Sequence, residues 1–70
     1  MSIWPAAKAS RVLAALRRIG RDIKRQSGSH KTIAKPGWPD VVFAFLGGEE
    51  IGPKMLARMA KNTGLRPEDL

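Results

Sequence analysis

Apolar positions along this chain change their period three times, and each change marks a new element. From about Ala6 to Ile19, residues Ala9, Val12, Leu13, Leu16 and Ile19 recur at spacings of three and four. Lys8, Arg11, Arg17 and Arg18 fall between them, so the spacing predicts an amphipathic helix with one apolar stripe. Gly20 follows where a helix C-terminus wants a residue free to adopt positive φ, and the two arginines in the last turn suit the helix dipole. Arg21–Gln26 and His30–Ala34 then alternate polar and apolar around Ser27-Gly28-Ser29, which predicts a β-hairpin. A three-residue loop pairing Gln26 with His30 sets Ile23 opposite Ile33 on a buried face. It leaves His30 with Lys24, Gln26 and Thr32 on the solvent side. A two-residue Ser27-Gly28 loop would separate the two isoleucines and is less favoured.

Lys35–Asp40 carries two prolines and a glycine and reads as a loop. Trp38 within it is expected to pack over a sheet edge, with a base-stacking platform as the minority reading. Val41–Phe45 is the strongest strand, with Val41, Phe43 and Phe45 on the core face and Val42, Ala44 and Leu46 on the other. Gly47-Gly48 ends it. Gly52 as N-cap and Pro53 at the first helical position open a second helix. Met55, Leu56, Met59, Ala60 and Thr63 form its stripe, and Gly64 closes it. Glu49 and Glu50 sit upstream as charges favoured by the helix dipole. The order α-β-β-β-α predicts an α+β fold, a three-stranded antiparallel sheet with two helices on one face. Residues 1–5 read as a lead-in, with Trp4 at the core edge, and 1–70 as a single domain.

Composition narrows the function. Thirteen Lys and Arg against six Asp and Glu give a net charge of +7 on 70 residues, a field that favours nucleic acid, an acidic protein or an anionic membrane. No cysteine is present, so there is neither a disulfide nor a thiolate nucleophile. One histidine without cysteine makes a zinc site improbable, and no metal or cofactor is expected. Apolar runs fall far short of a membrane span, and the first residues lack the pattern of a secretory signal, so the cytoplasm is the expected compartment.

The candidate chemistry gathers at Lys24–Lys31. Histidine is the side chain suited to proton exchange near neutral pH, and His30 is the chain's one example. Lys24, Arg25, Lys31 and Lys35 around it suit phosphate, with Ser29 or the Gly28 backbone amide as a hydrogen-bond donor. Against that stands an ordinary solvated basic face carrying an ordinary surface histidine, which spacing alone favours for His30. Lys54, at the start of the second helix, is suited equally to phosphate contact and to simple solvation.

The run Arg25-Gln26-Ser27-Gly28-Ser29-His30 resembles the signature of HicA-like toxins, the mRNA-interferase half of HicA–HicB toxin–antitoxin pairs. Glu50-Ile51-Gly52-Pro53-Lys54-Met55-Leu56, then Ala60 through Gly64-Leu65, resembles that family's second helix. The resemblance spans the chain from the first helix to Leu65. It implies a fold like double-stranded-RNA-binding domains, a metal-independent endoribonuclease acting on mRNA, a catalytic role for His30, and inhibition by a cognate HicB-like antitoxin. Two positions depart from the family pattern: Arg21, where an aromatic residue is common, and Leu46, where a histidine is common. A non-catalytic RNA-binding module of the same fold is the alternative reading, and a protein docking an acidic partner is a third.

Overall fold

A computed structural model describes residues 3–70 of the chain. Of the five-residue lead-in, Met1 and Ser2 lie outside the described residues, and Trp4 packs against the core as expected. The elements are β1 (Ala7–Lys8), α1 (Ala9–Arg18), β2 (Asp22–Ser27), β3 (His30–Ala34), β4 (Val41–Phe43), β5 (Glu50–Ile51) and α2 (Pro53–Thr63), followed by a 3-10 turn over Pro67–Asp69. Strands β2, β3 and β4 form the antiparallel sheet in that order. Ala9, Val12, Ala15 and Leu16 of α1 and Leu56 and Met59 of α2 share one buried cluster with Ile33 and Phe43. Both helices therefore cover the sheet face that carries Ile33 and Phe43. The fold is α+β with a three-stranded sheet and two helices on one side, as the periodicity predicts.

Both helix ends follow their sequence signals. Gly20 takes φ of 98°, and the amides of Gly20 and Arg21 donate to the carbonyls of Arg17 and Leu16, each at 3.1 Å. This paired bond pattern closes α1 with a positive-φ glycine just past the cap. Gly52 caps α2 at its start and Gly64, at φ of 76°, ends it.

The first helix is shorter than its apolar pattern. Ala7 and Lys8 pair instead with Ile51 and Glu50 as a second, two-stranded sheet. The amide of Ala9 continues that ladder by donating to the Glu49 carbonyl at 2.7 Å. Tertiary pairing overrides the helix preference of alanine here. The strand from Val41 likewise stops at Phe43, although the face assignment holds: Phe43 is buried, Val42 is 60 % exposed, and Phe45 stacks edge-on against Phe43 with centroids 5.2 Å apart. Glu49 does not serve the helix dipole. Its Oε2 accepts from the Leu46 amide at 2.8 Å and ties the turn after β4. Met55, expected in the core stripe, is 40 % exposed.

The hairpin differs from expectation in a way that matters for His30. Ser27, not Gln26, pairs with His30, and the loop is the two residues Gly28 and Ser29. Gly28 has φ of 59° and no non-glycine residue among those described has positive φ, the pattern of a type II′ turn, whose twist matches the flanking strands. The expected pairing of Ile23 with Ile33 still occurs, because a β-bulge at Lys24 absorbs one residue between Ile23 and Arg25. Ile33 is fully buried. Ile23, on the edge strand, remains partly exposed.

Candidate nucleic-acid interface

The bulge decides which side chains accompany His30. Directly opposed residues of an antiparallel pair share a face and neighbours along a strand alternate. Arg25 pairs with Thr32, Ser27 with His30, and Thr32 with Val42. The face turned away from the helices thus presents Arg25 and Ser27, His30 and Thr32, and Val42 across the three strands. The sequence-based expectation that Lys24 flanks His30 is overturned, and Gln26 moves from beside His30 to the rim, because that expectation placed the extra residue in the loop when it lies at the bulge. Arg25, Gln26, Ser27, His30, Thr32 and Val42 line a shallow groove of about 270 Å³ on this face. Gln26 reaches its rim, and its side-chain amide donates to the Gly28 carbonyl at 3.3 Å. No acidic residue lines the groove.

The other sequence-derived candidates are not gathered here. Lys24 bonds to Asp40, Nζ to Oδ2 at 3.0 Å, an exposed ion pair. Lys31 pairs opposite Phe43 and so alternates onto the helix-covered side. Ser29 occupies the turn. Lys35 turns back into the fold, its Nζ donating to the Ile19 carbonyl at 2.8 Å, where it neutralises the negative end of α1. Lys54 lies with Gly52, Pro53, Met55 and Arg58 around a separate depression at the start of α2. Of the named candidates, only His30 and Arg25 share the groove. Thr32 beside His30 and Val42 on the outer face of its strand follow the alternation as expected; Ser27 was missed, and the register was the missing signal. Leu46 stands outside the groove and is 63 % exposed. Among the described residues no group of three or more His, Cys, Asp or Glu is arranged to hold a metal ion.

Beneath the sheet, Arg21 shows what the departure at this position does. It is fully buried. Its Nη2 donates to the Asn62 carbonyl at 2.8 Å, Nη1 to Pro39 at 3.2 Å and Nε to Thr63 at 3.4 Å. The guanidinium thus satisfies carbonyls at the C-terminal end of α2, which have no partner within the helix. Its carbon lies 5.6 Å from the Trp38 ring centroid, in cation–π range. Trp38 packs over the end of α2 and not, as expected, over the sheet edge, and it stays 42 % exposed: a side chain at Gly64 would meet its indole at 3.0 Å. Burial lowers the pKa of Arg21 from the ordinary arginine value, and the charge of Asp40 opposes that shift. Arginine stays protonated throughout the neutral range.

No helix among the described residues is long and apolar enough to cross a membrane. No curated protein and no solved structure matches the chain. The family model of the HicA toxin of bacterial toxin–antitoxin systems matches residues 9–65, from the first residue of α1 to the residue just past the Gly64 cap. The matched region thus contains both helices, the whole sheet and the His30 groove, and the chain belongs to the HicA toxin family.

Proposed function

We propose that this toxin is a metal-independent endoribonuclease that cleaves mRNA, with His30 as its catalytic acid or base. The observation that carries the reading is the groove itself: the only histidine and Arg25, which forms no ion pair among the described residues, meet on an open sheet face with no carboxylate among its lining residues. RNA brings its own nucleophile. In the proposed step His30 accepts the 2′-hydroxyl proton, the 2′-oxygen bonds to phosphorus, and the bond to the 5′-oxygen breaks. Water supplies the proton to that leaving oxygen, because one imidazole does not serve as base and acid in a single pass. Arg25 stabilises the charge that builds on the phosphoryl oxygens, and Ser27 adds a hydroxyl donor to the same face. Ser29 in the turn contributes to RNA binding directly, while Lys24, Lys31, Lys35 and Lys54, which lie outside the groove, contribute only as a long-range positive field. The substrate places the activity in the cytoplasm, and a cognate HicB-like antitoxin silences it by covering the groove.

One observation favours the alternative, a non-catalytic RNA-binding module: among the described residues no hydrogen bond orients the His30 ring. Incubating mRNA with the wild type and with His30→Ala in EDTA separates the two. Catalysis by His30 predicts a rate loss of about 10²–10⁴-fold with RNA affinity nearly retained. Equal behaviour of the two proteins, with salt-sensitive RNA binding in both, makes it a binding module.

A further inference from the structure

The His30 groove does not end at Val42. That residue also lines a cleft of about 290 Å³ between β4 and α2, whose walls include Ala44, Phe45, Met55 and Met59 and whose polar members are Arg58 and Asn62. Met55 and Arg58 in turn line the depression beside Lys54 at the start of α2. β4 is the last strand of its sheet, so no further strand separates the His30 face from α2. The three hollows are therefore neighbours along one path over the sheet edge. No acidic residue lines any of them, and their charged members are Arg25, Arg58 and Lys54.

We infer that the cleft between β4 and α2 is a base-binding subsite for a nucleotide adjacent to the cleaved phosphate. The inference rests on the ribonuclease reading and adds the course of the RNA to it. An apolar slot accepts the face of a splayed base, and amide and guanidinium groups at its border suit the base edge and the phosphate; single-stranded RNA is recognised in this way. Asn62 is well placed for the first task. Its main-chain carbonyl is pinned by Arg21 at 2.8 Å, while its side-chain amide has no hydrogen bond among the described residues. Arg58 is exposed and forms no ion pair among the described residues, so its guanidinium is available to a phosphate. A protein partner inserting an apolar side chain is the competing occupant. The absence of carboxylates along the whole path and its continuity with the groove of His30 favour the polyanion.

Nitrogen-labelled His30→Ala protein, which holds RNA uncut, is titrated with a single-stranded RNA of about ten nucleotides, long enough to fill such a path. The backbone amides of Met55, Arg58 and Asn62 are expected to shift together with those of Arg25 and Thr32. Arg58→Ala in that background should bind about tenfold more weakly and lower the slope of log affinity against log salt by about one, as loss of one phosphate contact does. Arg11→Ala, an equal charge change on the exposed face of α1, should match the parent. Shifts confined to the His30 face, or equal affinity for the Arg58 and Arg11 variants, overturn the subsite and leave the ribonuclease reading standing. Intact RNA binding by Arg58→Ala with loss of antitoxin binding assigns the cleft to the protein partner. Failure of the wild type to bind or cleave RNA removes the ribonuclease reading, and the subsite with it.

Discussion

Arg21 and Arg25 belong to the same basic stretch of sequence, yet the fold uses them in opposite ways. Arg21 points inward, loses its water, and replaces it with three carbonyls and the face of Trp38. Lys35, a short distance along the chain, does the same for the end of α1. Arg25 points outward beside His30 and engages no acidic partner among the described residues. A cation that already holds buried carbonyls has little left to offer a phosphate. A solvated cation on an open face contributes little to folding and keeps its donors for a ligand. Net charge alone therefore overstates the binding surface of this protein, because part of its positive charge serves as internal mortar.

Substitutions test this division directly. The largest loss of stability is expected for Arg21→Met, which keeps much of the volume but strands carbonyls of Pro39, Asn62 and Thr63: about 3 kcal/mol, read from urea unfolding. A domain of this size has roughly 4–10 kcal/mol in total. A cost below about 1 kcal/mol would mean that water replaces the guanidinium without penalty, and the contrast with Arg25 would collapse. Gly64→Ala comes next, at about 2 kcal/mol, since the residue holds positive φ and its new methyl group presses on Trp38. Adding Trp38→Ala should return the steric share of that cost, so a double-mutant cycle should show coupling between the two positions. Smallest of all are the groove and its border. Arg25→Ala and His30→Ala should leave the unfolding midpoint nearly unchanged, within about 0.5 kcal/mol. Lys24→Ala should cost no more than about 0.5 kcal/mol, because its ion pair with Asp40 is exposed.

The sequence was most legible where local chemistry decides the outcome. The second helix starts at Pro53 and ends before Gly64 because proline and glycine act within one turn. The alternation of Val41, Val42 and Phe43 was likewise enough to assign the buried face. What the pattern could not show depends on distant partners. Ala7 and Lys8 leave the helix because Glu50 and Ile51 offer them a strand. The bulge at Lys24 keeps Ile23 paired while changing which residues stand beside His30, and no local signal distinguishes it from a longer loop. His30 and Arg25 were found as candidates from residue type and from the family resemblance. Thr32 and Val42 were placed on the outer face by alternation, Ser27 needed the register, and the inward turn of Arg21 needed α2.

The acceptors of Arg21 also have a bearing on timing. The hairpin can pair once residues 22–34 are available, because its contacts are local and close quickly. The guanidinium behind it waits for Asn62 and Thr63, some forty residues further along. During synthesis, therefore, His30 can reach its strand position while the element that anchors the base of the sheet to α2 is still being made. The hairpin that carries His30 is therefore made before the acceptors of Arg21, and the protein becomes a stable whole only as its second helix is completed.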